Sequence, residues 1–323
     1  MSQITPLKNA PLRVLQRKSE ARNVISLELA SIDGAELPPV EPGSHLIVHL
    51  GNGLMRQYSL TDPAGQRDRY HIGILRDANS RGGSAWVHEH VNTGDSIEVT
   101  GPRNHFPLVL GAAKSLLIAG GIGITPILSM ARSLDARGED FELHYCARDR
   151  DEAAFVDWLE SCSFSNRVRF YFDGGNPARG LDVTSLLEPL IPGRHLFCCG
   201  PAGLMDAVDS AAAHWPRGSV HFERFKADQD SLGENRAFRL KLTRSGLELE
   251  VPAHRSALDV LREHGFEIES ICEEGVCGSC LVDVVDGEVD HRDQILTAEE
   301  RRDNDVMTAC CSRARGKRLE LDL

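Results

Sequence analysis

The chain has 323 residues and a net charge of −12, with 41% hydrophobic and 26% charged residues. Its length favours two or three domains over one, and its composition is that of an ordinary globular protein. The negative charge argues against nucleic acid as a partner, and the lack of any run of about 18 apolar residues argues against a membrane span. The N-terminal MSQITPLKNA has no apolar stretch like that of a secretory signal, so we expect a cytoplasmic location.

Residues 8–106 have the pattern of short antiparallel strands. Apolar residues alternate, as in Tyr70, Ile72 and Ile74, and the turn sequences EPGS, GNG, TDPAG and NTGD separate the stretches. This pattern predicts an antiparallel β-barrel or sandwich.

The sequence RQYSLTD, residues 56–62, provides groups that can bind a phosphate and a flat ring. Arg56 can pair with a phosphate through two hydrogen bonds, Tyr58 has a flat face for a ring, and Ser59 has a hydroxyl. An ordinary strand ending in a turn would give a similar pattern. The motif resembles the R-x-Y-S motif of the ferredoxin-NADP reductase superfamily, and the resemblance implies that Arg56, Gln57, Tyr58 and Ser59 contact a flavin.

A second candidate flavin segment is SRGGSAWVHEHV, in which Gly82 and Gly83 precede Ser84 and a helical stretch. Free N–H groups at a helix start bind anions, although a plain glycine turn would look the same. In the relatives this segment holds the flavin phosphate, and the strand before it, which here contains Ile74, borders the flavin. Leu75 stands where several relatives have Lys or Arg.

Residues 112–226 alternate between apolar strands, such as SLLIA and VRFYF, and helical stretches, such as PILSMARSLDARG. Alternation of this kind predicts a parallel sheet covered on both faces. In GGIGITP, Gly121 and Gly123 would let a pyrophosphate approach backbone N–H groups at a helix start. The stretch resembles the pyridine-nucleotide motif of the same superfamily, which implies that Thr125 and Pro126 lie close to the nicotinamide.

The end of this segment carries two further motifs. Cys199, Gly200 and Pro201 resemble the C-G-P motif beside the nicotinamide, whereas we interpret Cys198 as a buried structural cysteine. HFERF follows, and the resemblance implies that Phe225 stacks on the flavin. A core aromatic residue at a strand end is the alternative.

Two residues bear on the choice of dinucleotide. Asp173 follows the VRFYF strand and can accept hydrogen bonds from the ribose hydroxyls, and its charge would repel a 2′-phosphate. Arg148 follows HYCA and could instead pair with such a phosphate. We expect NADH, with NADPH as the alternative.

A polar stretch, KADQDSLGENR, separates these segments from residues 237–323 and has the composition of a linker. The last segment opens with a hairpin pattern, FRLKLTRSGLELEV. A helix should follow, capped by Ser256 and ended by Gly265, and TAEE from Thr297 to Glu300 has capping-box spacing for another short helix.

Five of the nine cysteines lie in the last 52 residues, which indicates metal or redox chemistry. The spacing Cys272-x4-Cys277-x2-Cys280 is that of plant-type [2Fe–2S] ligation, which needs a distant fourth cysteine, here Cys310 or Cys311. A four-cysteine zinc site is the alternative, but such sites usually pair two short knuckles.

CEEGVCGSC, DGEVDHRDQIL and MTACCSRARGKRLELDL together resemble the ferredoxin domain of phthalate dioxygenase reductase-like proteins, which include vanillate demethylase reductase components. The resemblance spans the whole chain. It implies that Cys310 is the fourth ligand, with Cys272, Cys277 and Cys280, and that Cys311 packs near the cluster. Members with this domain order hold FMN, and GPRNHFPL leaves little room for an adenine-binding excursion, so FAD is the less favoured flavin.

The resemblance also implies an architecture and a function. We expect an FMN-binding antiparallel β-barrel (1–108), an α/β NAD-binding domain (109–227), a linker (228–236) and a β-grasp plant-type ferredoxin domain (237–323). NADH would reduce FMN, and single electrons would pass through the [2Fe–2S] cluster to a Rieske-type non-haem iron oxygenase. The chain is expected to be a monomer. A stand-alone electron carrier or redox sensor, and a zinc-stabilised interaction module, are the alternatives.

Overall fold

The computed structural model describes residues 6–78, 82–225 and 234–323. Its internal contacts divide the chain into two compact units, Met1–Glu223 and Arg224–Leu323. Residues 228–233 of the predicted linker lie outside the described ranges. None of the helices within those ranges combines the length and apolar character that crossing a membrane requires.

The first unit begins with a six-stranded antiparallel sheet of strand order β4-β3-β6-β1-β2-β5. A bridge between Leu60 and Ile72 connects the chain just after β4 to β5, so the two edge strands meet and the sheet curls toward a barrel. The alternating residues Tyr70, Ile72 and Ile74 are fully buried inside it, as their pattern predicted. The elements are β1 (Leu7–Ala21), β2 (Val24–Ser31), β3 (Ser44–His49), β4 (Met55–Ser59), β5 (Tyr70–Leu75), α1 (Gly83–His90) and β6 (Ser96–Asn104).

The second sheet of this unit has five parallel strands in the order β11-β10-β7-β8-β9. Separate apolar clusters cover its two faces, which explains the near-continuous apolar strands in the sequence. The elements are β7 (Lys114–Gly120), α2 (Ile124–Arg137), β8 (Phe141–Ala147), α3 (Val156–Ser161), β9 (Val168–Phe172), α4 (Val183–Leu187), β10 (Arg194–Cys199), α5 (Ala202–Ala211) and β11 (Val220–Glu223).

Hydrogen bonds connect helix α2 to the barrel at the end of the RQYSLTD sequence. Arg132 Nη1 donates to the Thr61 carbonyl oxygen at 2.9 Å, and the Ser129 hydroxyl donates to the carbonyl oxygen of Asp62. The fully buried Asp62 carboxylate accepts hydrogen bonds from the backbone N–H and the ring Nδ1 of His71, each at 2.6 Å. These contacts fix β4 relative to the helix that follows the glycine-rich turn.

The second unit contains a five-stranded mixed sheet of order β13-β12-β18-β14-β16, with β12 and β18 parallel. Helix α6 has the predicted Ser256 capping box and ends before Gly265, whose φ is 87°. Thr297 and Glu300 form the second predicted capping box, at α7. The elements are β12 (Phe238–Leu242), β13 (Glu248–Val251), α6 (Ala257–Glu263), β14 (Leu281–Asp286), β15 (Val289–Asp290), α7 (Ala298–Asp303), β16 (Val306–Thr308), β17 (Arg313–Ala314) and β18 (Arg318–Leu321).

Candidate functional site

Arg56 on β4 lies against the N-terminus of α1. A Cβ atom added to Gly83 would come within 2.5 Å of Arg56 Nε, so only glycine lets the guanidinium lie there. The helix begins after Gly82, whose φ is 92°, and its first turn has no side-chain cap and no acidic residue. A cation beside the positive end of a helix is unfavourable unless an anion lies between them, so these groups fit the phosphate of a flavin mononucleotide.

Ser84 takes part in shaping this anion site. Its hydroxyl accepts a hydrogen bond of 3.2 Å from the backbone N–H of Asp77, on the other side of residues 79–81, which lie outside the described ranges. This bond draws together the two ends of the segment that precedes α1. A direct contact between Ser84 and the phosphate remains a prediction.

Two buried polar atoms next to Arg56 have no hydrogen-bond partner among the described residues: Gln57 Nε2 and the Tyr58 hydroxyl. Burial raises the pKa of Tyr58 above its usual value, so the hydroxyl stays protonated. Unpaired buried polar atoms are costly, and the ring and ribityl chain of a flavin carry the acceptors and donors that would pair with them. The residues of β4 therefore fit the predicted cofactor.

The two remaining predicted flavin residues are placed differently. Ile74 is fully buried in the barrel core, and its contact with a flavin remains a prediction. The His88 ring lies 3.0 Å from the Ile74 carbonyl oxygen, bringing α1 and β5 together. Phe225 lies just after β11 with 39% of its surface exposed, and its stacking on the flavin remains a prediction.

The glycine-rich turn and the C-G-P turn pack closely enough that side chains would not fit between them. A Cβ on Gly123 would overlap the carbonyl oxygen of Cys199 and lie 2.8 Å from Gly200 N, and one on Gly120 would lie 2.6 Å from a ring carbon of Pro201. Both turns follow carboxyl ends of adjacent parallel strands, β7 and β10. Such an edge is where doubly wound sheets bind nucleotides, so the structure brings the predicted nicotinamide residues together.

Thr125 and Pro126 lie in the first turn of α2, both buried. The Thr125 hydroxyl donates to the Ile122 carbonyl oxygen at 3.0 Å, and its methyl group lies 2.8 Å from where a Cβ on Gly73 would be. Thr125 therefore contacts β5, a strand of the predicted flavin barrel. This contact places the nicotinamide turn next to the flavin sheet.

Glu223 is a residue that the sequence reasoning missed. It ends β11 directly beside Cys199 in the parallel register, and its carboxylate is hydrogen-bonded to the Ser59 hydroxyl. Burial raises the pKa of Glu223 to about 8, although the bond from Ser59 opposes this shift. The residue is half-buried overall, but its Oε2 is inaccessible and has no partner among the described residues.

Ser59, Cys199 and Glu223 thus meet where the flavin strand and the nicotinamide turn converge. Burial, with the adjacent Glu223 carboxylate, also raises the pKa of the Cys199 thiol, which stays protonated. The group can hold a proton at Glu223, beside the predicted nicotinamide turn. A charged residue at the carboxyl end of the last parallel strand, in HFERF, was the feature that could have indicated Glu223.

Asp173 and Arg148 occupy neighbouring loops at the same edge of the sheet. Asp173 Oδ1 accepts a 2.6 Å hydrogen bond from Gly175 N, which orients the carboxylate. The Arg148 side chain is 64% exposed, and its nearest carboxylate, from Glu152, is 3.8 Å away. The contribution of each side chain to the choice of dinucleotide remains a prediction.

The sulfurs of the second unit contact one another. Cys272 is hydrogen-bonded to Cys277, and Cys310 is hydrogen-bonded both to Cys280 and to its neighbour Cys311. Backbone N–H groups also point at sulfur, as Glu274 N does toward Cys272 Sγ at 3.4 Å. No three His, Cys, Asp or Glu side chains in the described ranges converge on one point as ligands of a single ion.

The cysteine spacing favours one of the two metal hypotheses. Structural zinc sites usually combine two short knuckles of cysteines, whereas three cysteines in one loop with a distant fourth are typical of a plant-type [2Fe–2S] cluster. The pKa of the Cys277 thiol is lowered by hydrogen bonds from Cys272 and Ser279, the latter with an Oγ–Sγ distance of 3.0 Å. The same hydrogen bond raises the pKa of the Cys272 thiol, so it favours the thiolate at Cys277 and the protonated thiol at Cys272.

Cys311 lies beside the ligand loop, and its sulfur is hydrogen-bonded to that of the neighbouring Cys310. A Cβ on Gly275 would overlap Cys311 Sγ, and the Thr308 hydroxyl lies 3.1 Å from that sulfur. Gly275 and Gly278 have φ values of 76° and 73°, which other residues rarely adopt. The placement agrees with Cys310 as the ligand and Cys311 as a packing residue, and both assignments remain predictions.

Comparisons with known proteins agree with this geometry. Residues 240–315 match the family described as a 2Fe-2S iron-sulfur cluster binding domain. A vanillate O-demethylase oxidoreductase from Pseudomonas sp. (strain HR199 / DSM 7063) is 48% identical over 305 residues, covering 94% of this chain and 96% of its own. The likeness therefore extends over nearly the full length of both proteins.

Two solved structures are also similar. That of phthalate dioxygenase reductase, described as a modular structure for electron transfer from pyridine nucleotides to [2Fe–2S], is 44% identical with a TM-score of 0.76 and covers 97% of each chain. An intact type IV self-sufficient cytochrome P450 monooxygenase is 39% identical with a TM-score of 0.84 over 97% of this chain, which corresponds to 41% of that chain. The three-part fold and the set of FMN, NADH and [2Fe–2S] cofactors predicted from the sequence are confirmed. The chain therefore belongs to the phthalate dioxygenase reductase-like family of NADH-dependent flavin and iron–sulfur oxidoreductases, which act as reductase components of oxygenase systems.

Proposed function

We propose that this chain is the reductase component of a two-component Rieske-type oxygenase system, and that it delivers single electrons from NADH to a separate oxygenase. The observation that supports the proposal is the presence of two candidate redox sites in one chain. Ser59, Cys199 and Glu223 meet at the edge of a parallel sheet, and the cysteines of the second unit lie in contact, Cys272 with Cys277 and Cys280 with Cys310. The flavin and the cluster, when bound, supply the conversion of a two-electron hydride into single electrons.

The protein's own residues position the reactants. The turn at Gly123 and Thr125 would hold the dinucleotide against β5, and Arg56 with the α1 N-terminus would hold the flavin phosphate. Glu223, protonated near neutral pH because its pKa is about 8, would keep a proton at the enclosed junction without adding a negative charge. No described residue needs to act as a nucleophile.

An anaerobic titration of the purified protein with NADH, followed by visible absorbance, tests the core of this proposal. We expect uptake of about three electrons per chain, two on the flavin and one on the cluster. Bleaching of the flavin alone would show that the cysteines hold another group. Iron and labile sulfide measured on the same sample separate a cluster from zinc.

The class of partner needs its own experiment. The fully reduced protein should reduce a purified Rieske-type oxygenase in stopped-flow mixing. The alternative partner is a P450 haem, because the similar self-sufficient monooxygenase carries such a reductase in the same chain as a P450. Reduction of a P450 but not of a Rieske centre would replace the first partner by the second, and reduction of neither would favour a stand-alone carrier.

Three further features belong to the proposal. The domain boundaries at 108/109 and 227/228 are supported by the gap between β6 and β7 and by the division after Glu223. A monomer is expected, which light scattering of the holoprotein would test. A cytoplasmic location is expected, and cell fractionation would test it.

A further inference from the structure

The second unit contains a pocket that the proposed electron path does not use. Its volume is about 540 Å³, in the range of small-molecule sites, and it lies between the turn after β14 and helix α7. It is lined by Gly287, Glu288, Val289, His291, Arg301, Arg302, Asn304 and Arg315.

The pocket is positively charged within an acidic region. Residues 237–323 contain 19 acidic and 12 basic side chains, yet three arginines and one glutamate line the pocket. Glu288 is paired with Arg315 at 2.9 Å, in an exposed contact that screening weakens. Arg302 has no ion-pair partner in the part of the chain that the structure describes.

His291 supplies an independent observation. Its side chain is only 6% exposed, it lines the pocket, and neither ring nitrogen has a hydrogen-bond partner among residues 234–323. The nearest carboxylate oxygen, Asp293 Oδ2, is 3.7 Å from Nδ1, too far for a hydrogen bond. A buried imidazole without partners is costly, and a ligand in the pocket would remove that cost.

Arg301 is held by Asp293 and keeps one unpaired atom. Its Nη2 donates to the Asp293 carbonyl oxygen at 2.5 Å and lies 3.7 Å from the Asp293 carboxylate, but its buried Nε has no hydrogen-bond partner in the same range of residues. Asn304 frames the site by bridging to Gly287 O at 2.8 Å and to Val289 N at 2.9 Å. The pocket is therefore built by fixed side chains and not only by mobile surface arginines.

We propose that this pocket binds a small anion bearing carboxylate or phosphate groups. Arg302 and Arg301 would pair with its oxygens, and the His291 ring would hydrogen-bond to it. Guanidinium groups match the planar oxygens of carboxylates and phosphates, and the pocket is large enough for a ligand with several such groups.

The site is connected to the cysteine loop. The backbone of Asp293, to which Arg301 is bonded, packs against Gly275, and Gln294 N donates to the Gly275 carbonyl oxygen at 2.9 Å. An anion on Arg301 would therefore act on the segment that supports the loop between Cys272 and Cys277. This connection gives the ligand a route to influence the cluster.

Isothermal titration of the holoprotein with citrate and with inorganic phosphate tests the proposal, with saturating NAD⁺ present to block the dinucleotide site. We expect saturable binding of the anion. Arg302→Gln should weaken this binding about tenfold, because it removes one charge-assisted hydrogen bond. His291→Phe, which removes both ring nitrogens while keeping a ring, should also weaken binding. The matched control is Arg244→Gln, an exposed arginine paired with Asp322 outside the pocket, which should leave binding unchanged.

Three results would overturn the proposal. The first is the absence of binding of either anion up to about 10 mM. The second is an equal loss of anion affinity in Arg244→Gln, and the third is unchanged affinity in both Arg302→Gln and His291→Phe. If Arg302→Gln slows electron transfer to the oxygenase while no small anion binds, the pocket is a docking point for an acidic partner segment, and the small-anion proposal fails. NADH-driven flavin reduction should be unchanged in all three variants, which separates this test from the test of the proposed function.

Discussion

The cysteine loop of the second unit and the Ser59–Cys199–Glu223 group of the first unit are constructed by opposite means. Three of the four predicted cluster ligands come from nine consecutive residues, Cys272 to Cys280. The three residues of the other group come from separate segments of the chain and meet only because a barrel strand approaches the edge of a parallel sheet. A local site depends on the conformation of its loop, whereas a distributed site depends on the packing of whole elements.

The glycines of the two sites show the same difference. Gly275 and Gly278 have positive φ, so they are needed for the path of the loop itself. Gly123 has an ordinary helical φ of −60° and is needed because another turn lies against it. Damage to the loop should therefore remove the cofactor, while damage to the distributed site should leave the cofactors bound and slow the reaction between them.

The largest expected effect is in the local site. Cys310→Ser should abolish the cluster, because it removes the predicted fourth ligand, whereas Cys311→Ser should retain it. Iron and labile sulfide content of the two purified variants is the measurement. The reverse result would show that Cys311 is the ligand.

Gly123→Ala should nearly abolish flavin reduction by NADH while leaving FMN and iron content normal. The added methyl group overlaps the Cys199 carbonyl oxygen, and displacing the turn by about 1 Å can cost about a hundredfold in rate. Stopped-flow flavin reduction measures it. The control is Gly203→Ala in α5, where no atom lies within 4 Å of the new Cβ; it should react normally and gain about 0.5–1 kcal/mol in stability. Normal kinetics in Gly123→Ala would show that the turns do not need their close contact.

Glu223→Gln should change stability in a pH-dependent way. The folded-state pKa of about 8 lies above the unfolded value of about 4.3, so the folded state binds the extra proton and wild-type stability falls as pH rises between these values. The variant lacks this dependence. It should match the wild type near pH 5 and exceed it near pH 9, with a difference growing by at most about 1.4 kcal/mol per pH unit.

Urea unfolding at the two pH values checks this prediction. Glu139→Gln is the control of opposite sign, since a hydrogen bond from Arg137 lowers the pKa of this partly buried carboxylate and makes wild-type stability rise slightly with pH. An identical stability difference at both pH values for Glu223→Gln would mean that its carboxyl group is not perturbed by burial.

The smallest effect is expected at the adenosine end of the distributed site. Asp173→Ala should raise KM for NADH about tenfold, because it removes a charge-assisted hydrogen bond to the ribose. It should not raise KM for NADPH, because Arg148 remains to pair with the 2′-phosphate. Steady-state KM values for both dinucleotides are the measurement. Asp157→Ala, at a 95% exposed carboxylate, is the control. Unchanged KM values in Asp173→Ala would remove this residue from the site.

Much of the fold followed from local patterns. The strands FELHYCA and VRFYF coincide with β8 and β9, and both predicted capping boxes are present. These features were predictable because strand periodicity and helix capping depend on residues close in sequence. The strand that contains Ile74 was likewise predicted from its alternation, and the contact of Ile74 with a flavin remains a prediction.

The sequence by itself determined the chemistry of the local site, because cysteine spacing within one loop limits which metal group the sulfurs can bind. It also determined which turns must contain glycine. Only the tertiary structure showed that Glu223 joins Ser59 and Cys199, that Gly123 is held by a neighbouring turn, and that His291 lies unpaired in a basic pocket. Burial and contact between residues far apart in the chain arise from the packing of entire elements, and no local pattern of residues encodes them.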